Sequence, residues 1–104
     1  MSEDIHWLDE GCEFSSAEFA ELSGIPEDLL LELVGTGVIV AREVARERYV
    51  CTARTVHIAR KAGRLHRDFE LDASGLTVAL RLLERVHELE LDVRRLRAEL
   101  RRGG

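Results

Sequence analysis

The amino-acid sequence predicts a mainly α-helical fold with a small β wing: a winged helix-turn-helix followed by a long C-terminal dimerisation helix. Three observations carry this reading. Phe14 to Arg42 reads as helix, glycine turn, helix, glycine turn and apolar extended run. Two short β-prone segments then flank a polar loop, as in a hairpin. Beyond them Ala79, Leu82, Val86, Leu89, Val93, Leu96 and Leu100 step alternately three and four, the heptad seam of a helix that pairs with another.

Taken in order, Ile5, Trp7, Cys12 and Phe14 alternate with polar residues and suggest short strand pieces around Glu10 and Gly11. Ser15 is placed to cap the first helix, with Glu18 three residues on reaching back to the amide of the cap. Phe19 and Leu22 give that helix a buried side. Gly24 stops it, because glycine enters the left-handed conformation without a Cβ clash. Pro26 opens the second helix as its first residue, where a missing N–H costs nothing. Leu29, Leu30, Leu33 and Val34 form the apolar stripe of this helix, and Gly35 and Gly37 end it. Val38 to Glu43 and Arg48 to Cys51 read as the two strands of the wing, joined by Val44 to Glu47 and decorated by Arg42, Arg46 and Arg48.

Thr52 caps a third helix reaching His66 or Phe69, with Ile58, Ala62, Leu65 and Phe69 as its inward stripe. Glu70 to Gly75 is a break, with Asp72 or Ser74 as the next cap. The last helix then runs from about Gly75 to Arg101. Leu76, Leu80 and Leu83 add a second apolar flank to its first half only, so its front should lie in the core while its back projects and pairs. Glu90 and Arg94 sit four apart in the favourable order for an exposed ion pair. The expected organisation is therefore a winged helix-turn-helix with its third helix over 1–72 and the long helix over 73–104, without an independent second domain.

Composition narrows the chemistry. The 104 residues suit one small domain, and the net charge of −5 conceals a division. Met1 to Ala41 holds ten acidic residues and no lysine or arginine, whereas Arg42 to Gly104 holds fifteen basic and ten acidic residues. Such asymmetry concerns partners and steering rather than fold. Two cysteines, Cys12 and Cys51, make no disulfide framework, and neither a secretory signal nor a membrane span is legible, so a reducing cytoplasm is expected. His6, His57, His66, His87 and the cysteines lack metal-ligand spacing, and there is no phosphate-cradling or nucleophile-elbow motif. Neither catalysis nor a metal nor a cofactor is expected.

Two faces stand out for binding. A helix-turn-helix normally inserts its second helix into a DNA groove, yet here that helix carries Glu27, Asp28 and Glu32 and no cation. Leu31 falls outside its core stripe, between Asp28 and Glu32, which is suitable chemistry for gripping a basic amphipathic helix. With Glu18 these residues form the candidate partner-binding set, although a lone exposed leucine is also ordinary. The second face is a basic ridge on the third helix, His57, Arg60, Lys61, Arg64 and Arg67. With Arg46 on the wing, Arg60, Lys61 and Arg64 are the phosphate contacts of a DNA-binding alternative; a solvated face or pairing with the acidic half is the favoured account of the ridge. Val86, Leu89, Val93, Leu96 and Leu100 are the candidate dimer seam, since symmetric pairing with a second copy is the commonest assembly. A coiled coil with a different protein is the remaining alternative.

The succession F-x-x-x-E-F, S-G-I-P-E-D-L-L, L-V-G-T-G-V-I, A-R-E and Y-V, then R-L-H-R-D-F-E-L-D and G-L-T-V-A-L, resembles the chaperone-modulator family of CbpM type. These proteins are small relatives of MerR-like winged helix-turn-helix proteins. The similarity runs from about Phe14 to Leu100 and is most specific over Gly24 to Ile39, Arg64 to Asp72 and Gly75 to Leu80; the residues through Trp7 and both cysteines have no counterpart in it. The resemblance implies binding to the J-domain of a DnaJ-like co-chaperone and restraint of its engagement with Hsp70. It does not assign the interface, so the set of Glu18, Glu27, Asp28, Leu31 and Glu32 rests on charge and face alone. The alternatives are a MerR-like DNA-binding transcriptional regulator, for which an acidic second helix is ill suited, and a plain oligomerisation module.

Overall fold

The structure, a computed structural model, describes residues 12–103. Ile5, Trp7, Glu10 and Gly11 lie outside the described residues. The chain forms β1 (Cys12–Ser15), α1 (Ser16–Ser23), α2 (Glu27–Gly35), β2 (Arg42–Ala45), β3 (Arg48–Cys51), α3 (Ala53–Phe69) and α4 (Ala73–Gly103). The three strands make one antiparallel sheet in the order β1-β3-β2. The fold is thus mainly helical with a small wing and a long last helix, as the sequence predicts.

The start of α1 follows its capping chemistry. Ser15 Oγ accepts from the Glu18 amide at 3.0 Å, and Glu18 Oε1 accepts from the Ser15 amide at 2.8 Å, so each satisfies an amide that the helix leaves without a partner. Gly24 ends α1 at φ 78° and its amide donates to Ala20 O. Pro26 is a correction: it is the extended N-cap of α2 rather than its first residue, and its carbonyl accepts from Leu30.

The wing begins later than its apolar pattern suggests. Val38 and Ile39 are not in a strand, because both amides donate back to Leu33 O and close the end of α2, while the Ile39 side chain drops into the core. Amides used as a helix cap are unavailable to a sheet. Val44 and Ala45 belong to β2 instead of the loop, and the hairpin turn is Arg46-Glu47, with a register irregularity between Glu43 and Ala45. The Glu47 carbonyl accepts from the Ser16 amide, which ties this turn to the first residue of α1.

On α3 the inward face is Thr55, Ala59, Ala62 and Gly63. Of the expected stripe only Ala62 is fully buried; Ile58 and Leu65 are half-buried, and Phe69 is 67% exposed. Small residues win the inward positions because the backbone of α1 comes too close for large ones. A Cβ on Gly63 would fall far inside van der Waals contact with Ser23 O. Thr52 caps α3 as predicted, and Glu70 ends it in the left-handed conformation at φ 53°. His66 Nδ1 lies 2.8 Å from Leu71 O, a bond that fastens the end of α3 to the connector.

Asp72 is the cap that starts α4, its Oδ1 accepting from the Gly75 amide, and the helix therefore begins at Ala73 rather than Gly75. At 1.5 Å per residue it is about 46 Å long. Leu76 and Leu80 alone are buried, against α2 and α3, so what reads as a secondary flank is its true core face. Leu82 is 62% exposed and Leu83 also lies outside the core. Ion pairs on this helix join Arg85 with Glu88 and Asp92 with Arg95 rather than Glu90 with Arg94. Phe19, Leu30, Leu33, Ile39, Cys51 and Leu76 are the largest fully buried side chains, and burial contributes roughly 1.5–3 kcal/mol for a large aliphatic or aromatic one.

Gly63→Ala is predicted to destabilise the protein by about 1–3 kcal/mol or more through overpacking, reversing the gain of about 1 kcal/mol that alanine brings to an open helical site. Gly35→Ala, where a Cβ meets nothing within 4 Å, supplies the control. Urea unfolding of both variants at one protein concentration checks the opposite signs.

Candidate functional site

The site is built on α2, whose orientation is set from its buried side. Leu30 and Leu33 are fully buried, with Leu29 and Val34 half-buried beside them, and Ile25 pins the turn before the helix. The positions left over face outward. Asp28, Leu31 and Glu32 are spaced three and four, so they share one helix face, and all three are exposed, Leu31 by 37%. An apolar side chain rimmed by two carboxylates is the result.

The other two members of the acidic set are differently employed. Glu18 belongs to the capping box and has Arg48 Nη1 4.0 Å away; its carboxyl is held below the usual range, first by the Ser15 amide and then by the Ser15 hydroxyl. Glu27 Oε2 accepts from Ser16 Oγ at 2.6 Å, and Ser16 is buried. Both carboxylates therefore hold the N-terminal end of α1 in place. The structure leaves Asp28, Leu31 and Glu32 as the outward cluster. Asp28 Oδ1 accepts from the Leu29 amide at 2.9 Å, where a negative charge at a helix N-terminus is favourable.

The basic residues divide as well. Arg48 is drawn into the sheet's edge chemistry, donating to Glu13 at 3.1 Å. Arg46 lies on the hairpin turn, and Lys61 is half-buried on α3. Arg60, Arg64 and Arg67 line a cleft against Glu21, Leu22, Ser23 and Gly24. No basic residue occupies the last turn of α1. The Arg67 guanidinium, packed over Gly24, instead brings positive charge from α3 to that helix's negative end. This role was hidden in the sequence, where α1 and α3 are separated by some thirty positions.

On α4, Val86, Leu89, Val93, Leu96 and Leu100 are between 44% and 74% exposed. Val86, Leu89 and Val93 line a shallow groove with Glu90, Arg94 and Arg97. Val78, Leu82 and Phe69 are further apolar side chains, each more than half exposed. Among the described residues no group of three or more His, Cys, Asp or Glu side chains is arranged to hold a metal ion, and no helix is long and apolar enough to cross a membrane.

Comparison with known proteins agrees with this geometry. The family model described as MerR HTH family regulatory protein matches residues 14–98. The chaperone modulatory protein CbpM of Escherichia coli strain K12 / DH10B is 35% identical over 89 residues, spanning 86% of this chain and 88% of the relative. The proteins of the same description from Escherichia coli O139:H28 and Shigella boydii serotype 18 match to the same extent. The wing, the two-helix turn and the long last helix, with these matches over most of the chain, place it in the CbpM-type chaperone-modulator family of MerR-like helix-turn-helix proteins.

Proposed function

We propose that this chain binds the J-domain of a DnaJ-like co-chaperone through the outward face of α2 and so restrains that co-chaperone's stimulation of Hsp70. The observation that carries the reading is the Asp28, Leu31 and Glu32 cluster, exposed on a helix without a single cation. Its relatives are named chaperone modulatory proteins, a family of modulators rather than enzymes. J-domains present a basic helix to Hsp70, and an acidic face with a central leucine competes for such a helix by charge and by apolar contact. Association of this kind gains most of its specificity from charge and most of its residence time from the buried anchor. DNA binding fits less well, because phosphates would meet carboxylates where a helix-turn-helix normally offers its reading helix. The expected setting is the cytoplasm.

The same proposal makes the functional unit a homodimer through the back of α4. An isolated helix that buries only Leu76 and Leu80 on its own domain leaves a heptad seam in water. Most helical stability in proteins comes from packing of such a face. A second copy supplies an identical seam.

Calorimetric titration against a J-domain, at low and moderate salt, tests the docking face. Asp28→Lys combined with Glu32→Lys should weaken binding by roughly 10–100-fold, more at low salt; unchanged affinity would remove α2 from the interface, and absence of binding by the parent chain would end the reading. For the seam, sedimentation equilibrium should give a dimer for the parent chain and a monomer for Leu89→Glu with Val93→Glu. A monomeric parent chain at about 100 μM, a concentration at which weak complexes still form, contradicts the pairing.

A further inference from the structure

The chain's two cysteines, far apart in sequence, are brought to one place. In the β1–β3 register, Cys12 is the direct partner of Cys51. Directly opposed residues of an antiparallel pair have Cα atoms about 4.5–5.5 Å apart, which lies within the roughly 4.4–6.8 Å range of disulfides. Cys51 is fully buried and belongs to the core, whereas Cys12 is half-buried at the first described residue of β1. Among the described residues β1 is an edge strand, paired with β3 alone. Nothing in the proposed docking or dimerisation uses either sulfur.

We propose that Cys12 and Cys51 form a reversible cross-strand disulfide, a redox modification site in which Cys12 is the entry thiol and Cys51 the resolving thiol. The oxidant is a low-molecular-weight disulfide of glutathione type. The Cys12 thiolate attacks one of its sulfurs, forming a mixed disulfide and releasing one thiolate. The Cys51 thiolate then attacks the Cys12 sulfur, closing the protein disulfide and expelling the second small thiolate. Two protein thiols are oxidised, one small disulfide is reduced to two thiols, and two protons pass to solvent or to the released thiolates. The order follows from access: the half-buried Cys12 meets the small molecule, and the buried Cys51 meets its cross-strand neighbour.

Closure depends on the Cys51 thiolate. In the reduced chain burial, and then the neighbouring Cys12, push the Cys51 thiol up to about 11. Burial remains once Cys12 carries the small thiol, so the Cys51 thiolate fraction, and with it the closure rate, rises with pH. Once closed, the bond spans residues 12 to 51 and fastens β1, α1, α2 and β2 into a covalent loop. Holding the edge strand on β3 constrains the unfolded chain and raises the melting temperature, by roughly 15–30 °C for a loop of this length.

The test uses the reduced full chain with oxidised glutathione, followed over a range from neutral to alkaline pH. Intact mass and non-reducing peptide mapping should show glutathione on Cys12 first, then a Cys12–Cys51 linked peptide within one chain, faster at higher pH and reversed by dithiothreitol. Cys51→Ala should stop at the mixed disulfide and Cys12→Ser should take up no glutathione. Glutathione that stays on Cys12 of the parent chain at every pH, failure of Cys12 to react, or a disulfide joining two chains would each overturn the proposal.

Discussion

Among the described glycines, the one with least room lies where the end of α1 meets the middle of α3. Ser23 O occupies the space that any side chain at residue 63 would need, and the Ser23 hydroxyl turns inward, donating to Phe19 O and Ala20 O. With α1 held this close, the chain reverses at Gly24 in a conformation suited to glycine. Ile25 follows into the core and α2 leaves in a direction that buries Leu30 and Leu33. The outward position of Asp28, Leu31 and Glu32 is therefore a consequence of a glycine on another helix. Arg67, drawn over Gly24, closes the same corner electrostatically.

From that corner the rest of the core is assembled around few large side chains and several small ones. Ala59 and Ala62 let α3 approach α1, while Leu76 and Leu80 seat the front of α4 on α2 and α3. Arg54 and Glu84, 3.9 Å apart and largely exposed, add a surface contact between α3 and α4 of the kind that contributes little to stability. Beyond Leu80 the helix has no buried residue among those described. The molecule thus combines a packed wing-and-helix unit with an extended apolar seam, and its extents of 55 × 34 × 19 Å reflect that projection.

Local signals were legible in the sequence. The Ser15–Glu18 capping box, the Thr52 cap, the Gly24 stop and the 3.6-residue stripe of α2 appear where the residues put them, and the outward position of Leu31 follows from the same periodicity. The less legible features depend on partners distant in sequence. Val38 and Ile39 look like a strand by composition, but their amides were taken by Leu33 O. The inward face of α3 could not be read from its largest apolar residues, because the approach of α1 selects alanine and glycine there. Glycine inside a long helical stretch was the available signal for Gly63. Glu18 and Glu27 carry the right charge for a partner, yet their hydrogen bonds to Ser15 and Ser16 show local work that charge counting does not reveal. For the same reason the opposition of Cys12 and Cys51 emerges only from the strand register.

The central claim is that the fold turns a helix-turn-helix plan into an acidic protein-docking face. Its most direct test is a residue-resolved footprint: backbone amide NMR spectra of the full chain with and without a saturating J-domain. The account predicts that the largest perturbations cluster on the exposed side of α2, around Asp28, Leu31 and Glu32, with the seam residues Val86 to Leu100 little changed. Perturbations confined to α4 or to the Arg60–Arg64–Arg67 cleft, with α2 silent, would contradict it.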